Sequence, residues 1–339
     1  MINLVWRTDI HFSDKAPQSR TDNWKETLLD KISQVGEIAR EVKAHAVLDG
    51  GDLFHVKSPG RNSHELVRSI MEAQSSYPCP TYACIGNHDV VYGDYTYIHQ
   101  QPLGVLFSSG VLNRLYDEHE VTFEKPQLSL PNPAWVESFK VRVVGIPYHG
   151  VRYDWDRFTS IKKGDEDYLV VVAHVLASEK GGSMFEGEDI IKYADLKSLD
   201  PDVWCFGHWH KDQGVTEIAP GKWVVNVGSL SRGSLSQDNL DRIPKCAVLG
   251  FSESGISIET RGLKVPLASE IFDLEGKERQ EVQSEVIESF VKRLEGAFEL
   301  EEKDLSDMVR GLDVSTEVRE RVINYIERAQ GGHNVSNSF

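Results

Sequence analysis

Five short polar clusters, each set where an apolar run ends, constrain the fold of this chain more than any other feature. In order they read Asp9-Ile10-His11, Gly50-Gly51-Asp52, Gly86-Asn87-His88-Asp89, the single His174, and Gly207-His208-Trp209-His210. The preceding runs, Ile2 to Arg7, Ala46 to Leu48, Thr81 to Ile85, Tyr168 to Ala173 and Val203 to Phe206, have the length and apolar content of buried strands. Between the first two, Leu28, Leu29, Ile32, Val35, Ile38 and Ala39 recur at helical spacing over Trp24 to Val42, and Ser63 to Ala73 reads as another helix. Strands alternating with helices predict an α/β fold that places its ligands beyond the strand C-termini. Phe139 to Ile146 adds a strand after a proline-bearing loop at Pro126 to Pro133. Short strands follow at Val215 to Ile218, Trp223 to Val227, Ala247 to Phe251 and Ile256 to Glu259.

The side chains at these strand ends are Asp, His and Asn. Such a mixed oxygen and imidazole set suits Mn, Fe or catalytic Zn better than Ca, which takes mostly oxygen, or structural Zn, which takes thiolates. Seven donors, Asp9, His11, Asp52, Asn87, His174, His208 and His210, exceed what one small cation takes, but they serve two ions that share a carboxylate. Two ions about 3.5–4 Å apart clamp a phosphate and stabilise both the attacking and the leaving oxygen. Each cluster alone also reads blandly: the first as a turn, the third as a loop where Gly and Asn tolerate positive φ, His174 as a satisfied buried histidine. A metal site is the reading that accounts for all five in one order.

Length and charge set the rest. With 339 residues the chain has room for one large domain and an appendage, divided here as 1–265 and 266–339. The formal charge is −16, and residues 266–339 hold 17 acidic against 9 basic residues, half of the excess. That balance argues against a protein that grips nucleic acid with a broad basic face. Local exceptions exist. Lys57 and Arg61 follow Asp52, and Arg152, Arg157, Lys162 and Lys163 are interleaved with Tyr153, Trp155 and Phe158, a mixture that fits phosphate contact and base stacking or a solvated loop whose aromatics fold onto the core. In the acidic tail, Val282, Val286, Ile287, Phe290 and Leu294 mark one amphipathic helix. Val318, Val322, Tyr325, Ile326 and Ala329 mark a second, ended by Gly331 and Gly332. Cys79, Cys84, Cys205 and Cys246 lie at irregular spacing and read as buried free thiols, with a disulfide or thiolate site as the alternative. No apolar run spans a bilayer and no signal peptide is apparent, so no membrane association and a cytoplasmic location, in a prokaryotic or phage-infected cell, are expected.

DxH, GGD, GNHD, a lone His and GHWH in this order resemble the signature of the calcineurin-like metallophosphoesterases over about Met1 to Leu263. The resemblance implies a four-layer α/β/β/α sandwich with two metals at the strand ends. It implies that Asp9, His11, Asp52 and His210 hold one ion, and Asp52, Asn87, His174 and His208 the other. His88 would contact the scissile phosphate and protonate the leaving oxygen, oriented by Asp89. Gly50 to Ala73, and Val144-Gly145-Ile146-Pro147-Tyr148-His149, further resemble the nuclease subunit of SbcCD-type double-strand-break-repair complexes, although Phe12-Ser13 stands where that subfamily usually has Leu-Gly. That narrower resemblance implies His55 as a second phosphate contact, a surface helix-cap residue being the alternative. It also implies a homodimer formed with help from the Ser63–Ala73 helix, whose Leu66, Val67, Ile70 and Met71 read equally as core, Mn²⁺ as the metal, and tail helices that grip an SMC-like, SbcC-type ATPase, docking on the phosphoesterase body being the alternative. The activity implied is 3′ to 5′ exonuclease on duplex ends and endonuclease on single strands. The alternatives are a phosphoesterase for a small substrate, such as a cyclic nucleotide or phosphomonoester, and an inert scaffold of the same fold.

Overall fold

The computed structural model describes residues 1–91, 94–126, 138–181, 187–274, 316 and 318–323. The chain divides into two compact units, Met1–Leu274 and Glu275–Phe339. In chain order the first unit runs β1 (Ile2–Arg7), α1 (Trp24–Glu41), β2 (Ala46–Asp49), α2 (His64–Ser75), β3 (Thr81–Ala83), α3 (Pro102–Ser108), β4 (Asn113–Arg114), β5 (Val121–Pro126), β6 (Ser138–Ile146), α4 (Asp156–Thr159) and β7 (Tyr168–His174). It continues β8 (Ala177–Ser178), β9 (Ile191–Lys192), α5 (Tyr193–Leu196), β10 (Val203–Gly207), β11 (Gly214–Ala219), β12 (Lys222–Asn226), α6 (Gln237–Asp241), β13 (Lys245–Ser252), β14 (Gly255–Gly262) and α7 (Ala268–Ile271).

Two six-stranded sheets carry the unit, ordered β14-β13-β1-β2-β3-β4 and β11-β12-β10-β7-β6-β5. Strand alternation assigns their faces. From β1, Ile2, Leu4 and Trp6 enter a core shared with Val170 and Val172 of β7 and with Val203 and Cys205 of β10, so this core lies between the sheets. Val5 and Val47 face the other way, against Leu28, Ile32, Val35 and Ala39 of α1 and Leu66 and Ile70 of α2. On the far side Val171, Trp204 and Phe206 pack with Phe158, Tyr193 and Leu196. The layers are therefore helix, sheet, sheet, helix, a mixed α/β architecture.

Local chemistry fixes the helices that flank the site. The Asn23 side chain caps α1 by accepting from Glu26 N. Ser63 caps α2, its Oγ accepting from Leu66 N at 3.0 Å, and is itself held by Asp14, whose carboxylate accepts from Ser63 N and Oγ at 2.6 Å each. This ties α2 to the loop that follows His11. Leu66 and Ile70 are buried, and Val67 and Met71 pack on the same core, so the helix expected to help a homodimer turns its apolar face inward.

The unit runs on to Leu274 because Ile271 and Phe272 are buried and Phe272 bridges to Arg20. All four cysteines are free, three of them buried and Cys79 half-buried. Among the described residues no helix is long and apolar enough to cross a membrane. The expected tail helix at 282–294 lies outside the described residues. Of the second, 318–323 are helical and 324–329 lie outside. The loop at Pro126 to Pro133 also lies mostly outside, but Val121–Pro126 before it forms an antiparallel edge strand on β6.

Candidate metal centre

Every expected ligand follows, or ends, a strand whose parallel neighbours point it to the same rim. Asp9 and His11 follow β1, Asp52 follows β2, and Asn87 follows β3, while His174 ends β7 beside Gly207 of β10. The first sheet thus supplies four donors and the second supplies His174, His208 and His210. The loops pair by backbone, Asp9 N to Gly51 O at 3.1 Å, His11 N to Asp52 O at 3.0 Å and Phe12 N to Leu53 O at 2.7 Å. Asp9, His11, Asp52 and His208 hold positive φ of 55°, 56°, 53° and 80°. For residues with a Cβ this is a strained backbone that the surrounding bonds must enforce. Gly86 answers to a different demand: a Cβ there would collide with Asp52 Oδ1.

The seven expected ligands form two groups, and His11 makes a further cluster with His55 and His88. Asp9, His11, Asp52 and His210 have one ligand atom each within 4.8 Å of the others, and so do Asp52, His174 and His208. Asn87 Oδ1 lies 3.2 Å from His174 Nε2 and joins the second group. Asp52 Oδ2 faces both, 3.7 Å from His11 Nε2 and 3.5 Å from His174 Nε2. It is buried and among the described residues has no hydrogen-bond partner, and the same holds for His11 Nδ1 nearby. A buried carboxylate oxygen left unpaired costs a few kcal/mol unless something fills the gap. His11 Nε2 and His210 Nε2 stand 2.8 Å apart, two nitrogen donors converging on one point. Unpaired oxygen and converging imidazoles fit a pair of divalent ions sharing Asp52.

The electrostatics agree. Burial disfavours the charged forms throughout, but His174 and His11 outweigh it at Asp52 and hold its carboxyl well below the usual range. At His174 burial is outweighed by Asp52 and Asp9, which lift the imidazole to about 10. At His11 burial and then the neighbouring His210 push the ring well below its ordinary value. A cation held by these atoms competes with the His174 proton, so loading the site releases protons. His174 Nδ1 lies 2.7 Å from Gly50 O, which leaves Nε2 for the ligand side.

His88 and His55 sit on the open side of the first group. Their rings stack at 5.2 Å and 19°, and each meets His11 edge-on, at 4.8 and 5.6 Å. His88 Nδ1 lies 2.7 Å from His55 O. Asp89, expected to orient His88, instead accepts backbone N–H groups from Asp52 at 2.8 Å, Gly86 at 3.0 Å and Phe54 at 3.3 Å. It binds the second and third loops together, and the His55 carbonyl takes the place assigned to it. Burial and then the Asp52 charge push Asp89 up to about 8.

The basic residues divide. Lys57 and Arg61 are exposed beside His55, and among the described residues neither makes an ion pair. Arg152 meets Asp189 at 2.6 Å, Arg157 meets Asp117 at 3.6 Å, Lys162 meets Asp200 at 3.9 Å and Lys163 meets Asp202 at 2.8 Å. Phe158 is buried against Trp204, and Trp155 stacks on Phe158. Of the two readings open from the sequence, phosphate contact with base stacking or aromatics folded onto the core, this packing fits the second. One site residue had no sequence signal at all: Glu188, whose Oε1 lies 3.0 Å from His208 Nε2.

A family signature described as calcineurin-like phosphoesterase matches residues 4–212. No curated protein matches the chain. Among solved structures it is similar to TT1561 of Thermus thermophilus, at 14% identity and TM-score 0.43, covering 78% of this chain and 99% of that one. It is similar to the calcineurin-like phosphoesterase YfkN of Bacillus subtilis, at 15% identity and TM-score 0.44, covering 80% and 92%. It is similar also to a dimetal phosphatase from Danio rerio, at 11% identity and TM-score 0.48, covering 77% and 96%.

Proposed function

The chain belongs to the calcineurin-like phosphoesterase family, whose members are hydrolases with dinuclear metal sites, and from that premise we propose that it is a Mn²⁺-dependent DNA nuclease. The observation that carries the phosphoester chemistry is the buried, unbonded Asp52 Oδ2 facing both donor groups. When bound, the two ions supply Lewis acidity for the phosphoryl oxygens and for the attacking water. The chain's own residues do the rest. Asp52 sets the spacing of the two groups. His55 and His88 stand where a phosphodiester lies against the first group. His88, with Nδ1–H committed to the His55 carbonyl, would hand a proton from Nε2 of its imidazolium form to the departing 3′ oxygen and be left as the neutral ring. Lys57 and Arg61 offer exposed charge to the neighbouring phosphates.

The nuclease reading is supported by the Gly50–Ala73 resemblance and by this stacked histidine pair, His55 exposed and His88 half-buried. It extends to 3′ to 5′ action on duplex ends, endonuclease action on single strands, a homodimer, and a tail that binds an SMC-like ATPase. One observation favours a second reading, a phosphoesterase for small esters: Arg152, Arg157, Lys162 and Lys163 each face a carboxylate, which shortens the basic track available to DNA. The test compares linear duplex DNA, single-stranded circles, a cyclic nucleotide and p-nitrophenyl phosphate under Mn²⁺, with and without a co-purified ATPase. DNA cleavage from 3′ ends with slow small-ester turnover is expected. Intact DNA alongside rapid turnover of the small esters overturns the nuclease reading.

A further inference from the structure

Glu188 lies outside every motif of the sequence, yet its carboxylate reaches the second donor group. Its Oε1 is 3.0 Å from His208 Nε2 and accepts from Tyr153 Oη at 2.9 Å, while Tyr153 Oη in turn accepts from Leu176 N at 2.8 Å. The Glu188 and His208 side chains are 6% and 7% exposed, so bulk water scarcely competes for these bonds. The neighbouring Asp189 fixes the segment from outside: it accepts from Tyr153 N at 3.0 Å and pairs with Arg152, and its own N donates to Val151 O at 2.9 Å. Residues 151–153 therefore strap Glu188 into place.

We infer that Glu188 is the positioning residue of the second metal group, with Tyr153 holding it. An imidazole has two nitrogens, and a buried carboxylate acceptor at one fixes the proton there and leaves the other lone pair for a cation. Glu188 at Nε2 thus commits His208 to ligation through Nδ1. It also places a negative charge behind the ring, which strengthens that nitrogen as a donor. His174 is the last residue of a strand and is pinned at Nδ1 by Gly50 O, whereas His208 follows its strand at a positive φ of 80°, with its backbone N–H on the Asp9 carboxylate at 3.1 Å and its ring against His174 and Tyr148, and the Glu188 bond decides which ring nitrogen faces the cation. The effect falls on this half of the centre: among the described residues no hydrogen bond of Glu188 reaches Asp9, His11 or His210, and His208 meets Asp9 through its backbone N–H, at 3.1 Å, which a change at the ring leaves in place. The inference rests on the two-ion reading of the site and is independent of the substrate.

The test is a Mn²⁺ titration of the chelator-stripped full chain by calorimetry, paired with the electron paramagnetic resonance signal of the bound ions. In Glu188→Ala the first ion is expected to bind as in the wild type. The second should bind about 10–100-fold more weakly, the usual cost of removing such a partner, with loss of the spin-coupled pair signal. Glu188→Gln keeps an oxygen acceptor without the charge and should fall between, and Tyr153→Phe should weaken the second ion by less than Glu188→Ala. Unchanged binding of both ions in Glu188→Ala overturns the inference. Equal weakening of both ions in the Ala and Gln variants also overturns it, by making Glu188 a scaffold residue. A wild-type chain that takes up fewer than two ions overturns the metal reading and this inference with it.

Discussion

The donor cluster at the strand ends and the segment from Arg152 to Lys163 are both rich in ionisable residues, and they differ in what satisfies them. In the cluster, polar atoms are buried and left short: among the described residues Asp52 Oδ2 and His11 Nδ1 have no hydrogen-bond partner, and four residues accept positive φ to stand where they do. In the segment every cation has a carboxylate opposite it, and Arg152 is 75% exposed. Burial without a partner is expensive and persists only where a ligand offsets it. Exposed, paired charge costs little and adds little. The first region is organised around something external to the chain, and the second around the chain itself.

The contrast can be broken at its strongest point first. Asp52→Asn removes the charge that both donor groups share, and phosphodiester hydrolysis is expected to fall by roughly 10⁴-fold, several kcal/mol of lost charge stabilisation at about 1.36 kcal/mol per tenfold. Steady-state rates on bis(p-nitrophenyl) phosphate, read with bound-metal content, check this; full activity with one ion would end the shared-ligand account. His88→Ala is expected to cost about 10²–10³-fold in rate, within the range for one general acid, while both ions still bind. An equal loss of metal would make His88 a ligand.

Lys31 sharpens the comparison, because it is also buried and among the described residues has no hydrogen-bond partner. Burial, and then Arg20, Arg232 and Arg242, drive its pKa well below the ordinary lysine value. The unfolded chain then binds the extra proton, so this residue costs stability below the unfolded pKa of about 10.4, and the cost shrinks as pH rises toward it. Lys31→Met should stabilise the fold at neutral pH by about 1–3 kcal/mol, with a smaller gain at pH 10, measured by denaturant unfolding. A destabilised variant would place Lys31 with the donor cluster as a residue held for a ligand. The smallest effect is expected at Arg152→Ala, on the order of 0.2–1 kcal/mol in stability and a near-unchanged salt slope of duplex binding. A slope reduced by about one unit would make Arg152 a phosphate contact.

Much of the site was legible because its residues announce themselves by type and place. Asp, His and Asn are unusual at the ends of apolar strands, and α1 and α2 show their buried faces at the expected spacing. Other features depend on partners remote in sequence. The carboxylates that neutralise Arg152 and Lys163 lie at Asp189 and Asp202, the surface that buries Phe158 is Trp204, and Glu188 reaches His208 only because residues 151–153 hold it there. Asp89 shows the same limit within a motif: its position was plain, but whether it faces a ring or three backbone amides is decided by how the second and third loops meet. The short α3 and the edge strand β5 lack sustained periodicity, and packing defines them.

The strand order of the first sheet has a consequence for how the molecule is made. All seven donors have been synthesised by His210, yet β1, which positions Asp9 and His11, lies between β2 and β13, and Ile2 finds its antiparallel partner only at Phe251. At about 5–20 residues per second, one side of that central strand waits roughly 12–50 s for its neighbour during translation, with its amides and carbonyls open to any other extended chain. A nascent chain can thus be complete in ligands and still incomplete as a sheet. The hairpin of β13 and β14, remote from the chemistry, is the latch that closes it.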